Sequence, residues 1–230
     1  MAARLEVEEA EKEFKRSLEL GPTYPTANHW YAEFVMTMAR HAEVMARIKN
    51  GQELDPLSLI INVAVGWAFY HGRQFDEAIE QLRRTIELDP NYPVTYWILG
   101  LVLRKTGKYE EAIIEGEKAV KLSGGSPLMR AALAHSCGTA GRTKEASEMF
   151  EELTRLAEQK YVAPYFFAGI QIGLGENDLA IDYLEKAYEE HSHWLIYLHL
   201  DPSMDGLREN PRFQNLMRRV GLSAPKAAIA

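Results

Sequence analysis

The chain repeats itself every 34 residues, and this period constrains its fold more than any other feature of the sequence. At one position of each repeat stands a small or branched residue: Ala10, Val44, Ala78, Ala112, Ala146 and Ala180. Two further series share the period, one of leucine and one of proline: Leu20, Leu54, Leu88, Leu122 and Leu156, and Pro22, Pro56 and Pro90. Several independent series with one period indicate stacked structural units, each of which buries its apolar face against its neighbours.

Each period contains two helical segments. Over residues 93–104 the apolar side chains recur at helical spacing, and Gly107 then interrupts the pattern. A second helix carries the small residues Ala112, Gly116 and Ala119 on one face and ends at the glycine-rich stretch LSGGSP. No segment alternates with the period of two that a strand requires, so the sequence predicts an all-α fold.

Two units, GWAFYHGRQFDEAIEQLRRTIELDPNYP and LGLVLRKTGKYEEAIIEGEKAVKLSGGSP, resemble tetratricopeptide repeats. The matching positions are Gly66, Phe75, Ala78, Leu82 and Pro90 in the first unit, and Gly100, Tyr109, Ala112 and Ala119 in the second. The resemblance implies a right-handed α-solenoid of antiparallel helix pairs, a single array over residues 1–222. The full repeats would span residues 25–56, 59–90, 93–124, 127–158 and 161–190. Val44 and Gly51 depart from the family's pattern, so we expect the first full repeat to pack more loosely.

The N-terminal residues 2–20 match only the second helix of a repeat. A lone amphipathic helix cannot bury its own apolar face, because that face needs a neighbouring helix. We therefore interpret the chain as a fragment of a longer protein that begins with a truncated repeat. The exposed face of this helix also makes a homodimer an alternative that stays open.

The C-terminal residues 193–222 abandon the 34-residue pattern. Asp201-Pro202 and Asn210-Pro211 each have the form of a helix start, with proline in the first turn. These features predict a helical cap that covers the last repeat, followed by a flexible tail at residues 223–230. The cap resembles one that ends the repeat arrays of large bacterial winged-helix regulators and serine/threonine kinases.

In the tetratricopeptide family, the first helix of each pair lines a groove in which extended peptides bind. Repeat positions five, nine and twelve are spaced i, i+4, i+7, so they share one stripe of that helix. Together with two adjoining residues, this pattern implies the groove residues His29, Glu33, Trp67, Tyr70, His71, Trp97, Leu101, Arg104, Lys105, His135 and Tyr165. The same stripe also contains Met36, Val63, Ala131, Gly138, Gly169 and Ile172. Two interpretations stay open, since the tryptophans either pack against neighbouring helices or lie exposed in the groove.

The sequence predicts no catalytic residue, no metal site and no cofactor. The carboxylate clamp of chaperone-binding relatives needs Lys and Asn at positions five and nine, where this chain has, for example, Val63 and Trp67. His191 and His193 would diverge on a helix and are interpreted as part of an exposed helix end. Cys137, the single cysteine, falls on a core-facing position and is interpreted as a small buried hydrophobe.

Composition excludes two classes of partner. The chain has 26 Lys plus Arg and 33 Asp plus Glu, a net charge of −7, so it lacks the broad basic surface of nucleic-acid-binding proteins. Its longest apolar run, residues 59–70, is shorter than the roughly 20 residues that a membrane span needs. The acidic start is unlike a signal peptide, so we expect a cytoplasmic protein, or a periplasmic one if the parent protein is membrane-anchored.

The resulting hypothesis is a non-catalytic protein-interaction module that binds a peptide or partner segment in its groove. An apolar side chain of the ligand would contact Trp67, Tyr70 and Trp97. Arg104 and Lys105, with His71 beside them, would attract an acidic or carboxylate group. The alternative is a structural spacer or a self-association module, a homodimer through the N-terminal helix, within a larger bacterial regulatory protein.

Overall fold

The computed structural model describes the backbone of residues 2–222 and the side chains of residues 7–222. Within these residues the chain is all helical, which confirms the predicted fold class; the predicted tail at 223–230 lies outside them. The α-helices are α1 (Ala2–Leu20), α2 (Pro25–Met36), α3 (His41–Leu54), α4 (Leu59–His71), α5 (Phe75–Leu88), α6 (Pro93–Lys105), α7 (Tyr109–Leu122), α8 (Pro127–Thr139), α9 (Thr143–Ala157), α10 (Pro164–Leu174), α11 (Asn177–Glu189) and α12 (Pro211–Val220). Two 3-10 helices, His193–Tyr197 and Pro202–Leu207, lie between α11 and α12.

In successive helix pairs, proline starts the first helix and glycine forms the turn to the second. Pro93, Pro127 and Pro164 each stand in the first turn of the first helix of a pair, where the missing N–H of proline costs nothing. Gly107 and Gly141, one period apart, have φ values of 78° and 82° in the turn between the two helices of a pair. This left-handed conformation favours glycine, so the turn chemistry repeats with the fold.

The chain divides into two compact units, unit 1 (Met1–Pro90) and unit 2 (Asn91–Ala230). In unit 1, α2 pairs with α3 and α4 pairs with α5, and α1 packs against α2. The close approach of α4 and α5 depends on a glycine, because a Cβ at Gly66 would lie 2.7 Å from Cγ of Leu82. Ala78 and Leu82 on α5 are fully buried by this contact, as the repeat pattern predicts.

A polar cluster holds α1 to the first full pair of unit 1. The hydroxyl of buried Tyr31 donates to Glu43 at 2.8 Å and lies 3.3 Å from a carboxylate oxygen of Glu11, and Arg40 forms an ion pair with Glu11 at 3.0 Å. Hydrogen bonds from Lys15 and Arg40 lower the pKa of Glu11 to about 2. Burial, followed by the hydrogen bond to Glu43, raises the pKa of Tyr31 to about 12.

The first full repeat has little free space at its two unusual positions. Val44 is buried, and a Cβ at Gly51 would lie 3.3 Å from the carbonyl oxygen of Pro25 and 3.4 Å from Cβ of Asn28. Gly51 thus allows α3 to approach the start of α2 closely.

In unit 2, α6 pairs with α7, α8 with α9, and α10 with α11, and α12 packs on α11. One apolar cluster joins the last repeat to the C-terminal residues; it contains Leu184, Leu198, Met204, Phe213 and Leu216, all fully buried. The predicted capping helix starts as the sequence indicates, since Asn210 accepts a hydrogen bond from the main-chain N–H of Arg212 and Pro211 stands in the first turn. The C-terminal residues are therefore built into the core of unit 2.

Candidate interaction surface

The first helices of the three pairs of unit 2 lie side by side, with α8 in contact with both α6 and α10. Their shared surface, here called the inner face, is defined by five side chains: Trp97, Arg104, Lys105, Ser136 and Tyr165. Four of these residues were predicted from the repeat pattern, and the structure brings them together around one feature. That feature is the chain between α11 and α12, residues 193–208, here called the cap segment.

The cationic part of the inner face holds the cap segment by hydrogen bonds. Arg104 is buried; its Nη2 donates to Oγ of Ser203 at 2.7 Å. Nζ of Lys105 donates to the carbonyl oxygen of Pro202 at 2.9 Å and forms an ion pair with Asp205 at 3.2 Å. Charge-assisted hydrogen bonds of this kind are roughly twice as strong as neutral ones. The two cations thus bind a turn of the chain through its side chains and its backbone.

The aromatic part of the inner face surrounds Trp194 of the cap segment. The indole stacks on Tyr165 at a centroid distance of 6.0 Å and an interplanar angle of 22°. Phe166 and Trp97 meet it edge-on at 5.5 Å and 6.4 Å. The hydroxyl of Tyr165 also donates to the carboxylate of Asp201 at 3.0 Å, so this tyrosine contacts both the start and the middle of the segment.

The turn that lies on Arg104 and Lys105 is ordered by its own hydrogen bonds. Oδ1 of Asp201 accepts from the main-chain N–H of Ser203 at 2.8 Å. Arg208 donates to the carbonyl oxygens of His199 and Asp201 at 3.1 Å and 3.2 Å, and its Nε bonds to Asp205 at 2.9 Å. These internal hydrogen bonds favour the shape in which the turn lies on the cations, which lowers the entropic cost of the contact.

Two other predicted groove residues of unit 2, Leu101 on α6 and His135 on α8, are buried. Burial lowers the pKa of His135 well below its ordinary value, and the positive charges of Arg104 and Lys105 lower it further. A buried imidazole beside two cations stays neutral at physiological pH. Its physical role on this face is to fill space without adding charge.

The predicted groove residues of unit 1 lie on α2 and α4. On α2, His29 is buried; its Nε2 lies 3.9 Å from a carboxylate oxygen of Glu33, and burial lowers the pKa of the imidazole. On α4, Trp67 stacks on Tyr70 at 5.4 Å and meets the ring of His71 at 4.2 Å. All three α4 side chains are buried, which favours the packing interpretation for Trp67.

The remaining chemical candidates have ordinary structural surroundings. Cys137 is buried, and burial raises the pKa of its thiol to about 11, so the reactive thiolate is disfavoured. His191 and His193 are exposed beyond the end of α11. In the part of the chain whose side chains are described, no three His, Cys, Asp or Glu residues are arranged to hold a metal ion. Nor do residues 2–222 contain a helix with both the length and the apolar character of a membrane span.

The sequence reasoning missed the residues that meet the inner face from the cap segment. They are Trp194, Asp201, Ser203 and Asp205. It also missed Ser136 on α8, a member of the inner face whose hydroxyl accepts from Nη1 of Arg104 at 3.4 Å. One signal was available, because residues 194–205 contain two aspartates and no Lys or Arg. This acidic stretch is complementary in charge to the cationic pair Arg104-Lys105.

Residues 64–127 match the family model of the tetratricopeptide repeat. A search of curated proteins gives no match. Among solved structures, PilW, a widely conserved type IV pilus biogenesis factor, is 17% identical with a TM-score of 0.62, over 90% of this chain and 92% of PilW. A thermophilic TPR protein of Thermus thermophilus is 20% identical with a TM-score of 0.60, over 82% and 93%. YrrB, a TPR protein with an unusual peptide-binding site, is 18% identical with a TM-score of 0.50, over 81% and 96%. The chain therefore has the tetratricopeptide-repeat solenoid fold, and its residues 64–127 carry the family's sequence pattern.

Proposed function

We propose that the chain is a non-catalytic protein-interaction module that binds a peptide or partner segment on the inner face of unit 2. The observation that carries this proposal is the binding of the cap segment by Arg104 and Lys105. Arg104 stands at a groove position of the repeat pattern and Lys105 adjoins it, and both bind a segment that is not itself a repeat. A face that binds one chain segment has the donors and aromatic rings to bind another.

The chemistry of the inner face suits an acidic ligand with an aromatic side chain. Trp, Tyr and Arg are the residue types that dominate binding hot spots, and all three are present on this face. YrrB is described as having a peptide-binding site, and its similar fold supports peptide binding here as an analogy. The resemblance of the cap to those of winged-helix regulators and kinases supports a role within a larger bacterial regulatory protein. Modular contacts of this kind have micromolar dissociation constants, about −8 kcal/mol.

The test is affinity capture from a lysate of the source organism, with wild type, Lys105→Glu and Lys108→Glu as baits. We expect a partner that wild type and Lys108→Glu retain and that Lys105→Glu loses by at least tenfold. Lys108 is exposed beyond the end of α6, so its substitution makes the same change in charge away from the cap segment. A synthetic peptide that copies residues 192–208 should compete with the captured partner. Identical proteins on all three baits would contradict the proposal.

A second candidate function, self-association, is favoured by the exposure of Trp30 on α2. Its indole is 53% exposed, whereas Ala64, one period later on α4, is 5% exposed. The difference has a structural reason: α4 follows the complete pair α2–α3, and α2 follows only α1. An indole this exposed is the kind of large apolar side chain that marks a protein–protein contact. We therefore propose a second copy of this chain as the occupant of that face.

Sedimentation velocity tests this second candidate. We expect wild type to form a dimer at tens of micromolar, and we expect Trp30→Glu to be monomeric because a buried, unpaired carboxylate destabilises an interface. Ile114→Glu is the matched control, since Ile114 is 50% exposed on α7 of unit 2 and should leave the dimer intact. A wild-type protein that stays monomeric at these concentrations would exclude self-association.

A further inference from the structure

We propose that the cap segment is an intramolecular ligand of the inner face, and that the partner is an acidic segment of the same chemistry that replaces it. This inference rests on the proposed function and adds to it the nature of the partner and its regulation. The cap segment shows which groups the face recognises: an aromatic ring, a set of apolar side chains and an acidic turn. Binding of the partner is controlled by competition with the cap segment, which occupies the same face.

Charge complementarity identifies the acidic part of the ligand. The cap segment contains two aspartates and one cation, Arg208, and its turn lies on Arg104 and Lys105. Asp205 pairs with Arg208 inside the segment and with Lys105 on the inner face. The aspartates have different roles. Asp205 pairs with Lys105, whereas Asp201 accepts from Tyr165 and also orders the turn by accepting from the N–H of Ser203. A partner therefore needs a carboxylate at both positions, four residues apart.

Burial identifies the apolar part. Leu195, Leu198, Met204 and Leu207 of the cap segment are buried in the cluster that also contains Leu184. Removing the segment without replacing these side chains would expose both the leucines and the surface that they cover. A purely acidic peptide would therefore fail to displace the cap segment. The partner must carry apolar residues at the corresponding positions, with the aromatic residue before them.

Two features make the cap segment exchangeable although four of its apolar side chains are buried. Its helices are short 3-10 helices, whose hydrogen-bond geometry is poorer than that of an α-helix. The side chains of Lys105 and Asp205 keep 26% and 31% of their surface exposed, so a competing carboxylate can reach the ammonium group.

The C-terminal side of the cap segment is anchored separately. Phe213 is buried against the last repeat, and Arg212 pairs with Asp182 and Glu185 of α11 at 2.7 Å and 2.8 Å. Helix α12 can thus stay in place while residues 193–208 leave the inner face. The segment is then a tethered ligand that returns when the partner dissociates, because its effective concentration is high.

The experiment uses a labelled synthetic peptide that copies residues 192–208, with binding followed by fluorescence anisotropy. The full-length double variant Trp194→Ala, Asp205→Ala weakens the contacts of the cap segment and leaves the inner face unchanged. The tryptophan and the aspartate of the peptide can then make the contacts that the variant has lost. We expect this variant to bind the peptide at least tenfold more tightly than wild type. Adding Lys105→Glu should reduce that affinity at least tenfold, and adding Lys108→Glu should leave it unchanged.

Two outcomes would overturn the inference. Binding of the peptide to wild type as tightly as to the loosened variant would mean that the peptide site is not the face occupied by the cap segment. No binding to a loosened variant whose circular dichroism matches wild type would mean that the segment is a fixed part of the fold.

Hydrogen exchange on wild type keeps the test valid if the loosened variant loses helicity. Amides of residues 195–207 should then exchange at least tenfold faster than those of residues 213–217 in α12; equal rates would overturn the inference.

The capture experiment tests the proposed function separately from these two measurements. Peptide exchange without any captured partner would contradict only the proposed function, and equal capture by wild type and the loosened variant would contradict only the competition by the cap segment.

Discussion

Replacing Phe213 by alanine is expected to lower the free energy of unfolding by about 3–5 kcal/mol. The ring is fully buried in the cluster that joins α12 and the cap segment to α11. Truncation removes the apolar surface of the ring and leaves a cavity that Leu184 and Met204 cannot fill without moving, since both are fully buried themselves. A large phenylalanine in such a position is among the most costly residues to remove.

Urea denaturation followed by circular dichroism and tryptophan fluorescence measures this change. Asn215→Ala is the matched control, because Asn215 is exposed on the same helix and its substitution should stay within about 0.5 kcal/mol of wild type. A loss of less than about 1 kcal/mol for Phe213→Ala would mean that α12 adds little to the core of unit 2. That result would also remove the separate anchor on which exchange of the cap segment depends.

The helices could be predicted from the sequence because the contacts that form them are local or one period apart. The pattern over residues 93–104 predicts a helix, and α6 spans Pro93–Lys105. Ala112 and Ala119, predicted to lie on the packing face of the second helix, are buried on α7. In a repeat fold each helix meets its neighbours in the same register, so one period describes the packing of the next.

For the contacts of the inner face, the sequence predicted the residues of the repeats but not the segment that binds to them. Arg104 and Lys105 were identified as a cationic pair that would meet a carboxylate, and in the structure Lys105 does meet Asp205. What the sequence could not show is that the carboxylate belongs to the same chain, 100 residues further on. The cap segment lies outside the 34-residue period, so the period carries no information about where it packs.

Helical spacing also could not decide between packing and exposure for the aromatic residues. The i, i+4, i+7 stripe places Val63, Trp67 and Tyr70 on one face of α4, but spacing alone does not say what covers that face. The same limit applies to Gly138, which the stripe assigns to the groove. The structure shows that this glycine is instead where α8 and α10 approach each other closely, since a Cβ on it would lie 2.6 Å from the carbonyl carbon of Gly173.

Gly173→Ala is expected to lower the free energy of unfolding by about 1–3 kcal/mol, the usual cost of overpacking. A Cβ at this position would lie 2.6 Å from the carbonyl oxygen of His135 and 2.8 Å from its Cα. Both atoms belong to the backbone of α8, so no side chain can rotate away, and the two helices must separate. Because Tyr165 lies on α10 and Arg104 contacts α8 through Ser136, the separation should also weaken the binding of a ligand to the inner face.

Gly169→Ala, one helical turn earlier on α10, provides the matched control. The nearest atom to a Cβ there is Nδ1 of His135 at 3.8 Å, an ordinary contact. Alanine favours the helix over glycine by about 0.8–1.0 kcal/mol, so this variant should be as stable as wild type or more stable. Urea denaturation should therefore show a lower free energy of unfolding for Gly173→Ala and an equal or higher one for Gly169→Ala. Equal stability of both would mean that α8 and α10 can shift apart at no cost, and that the close approach at Gly173 does not constrain the inner face.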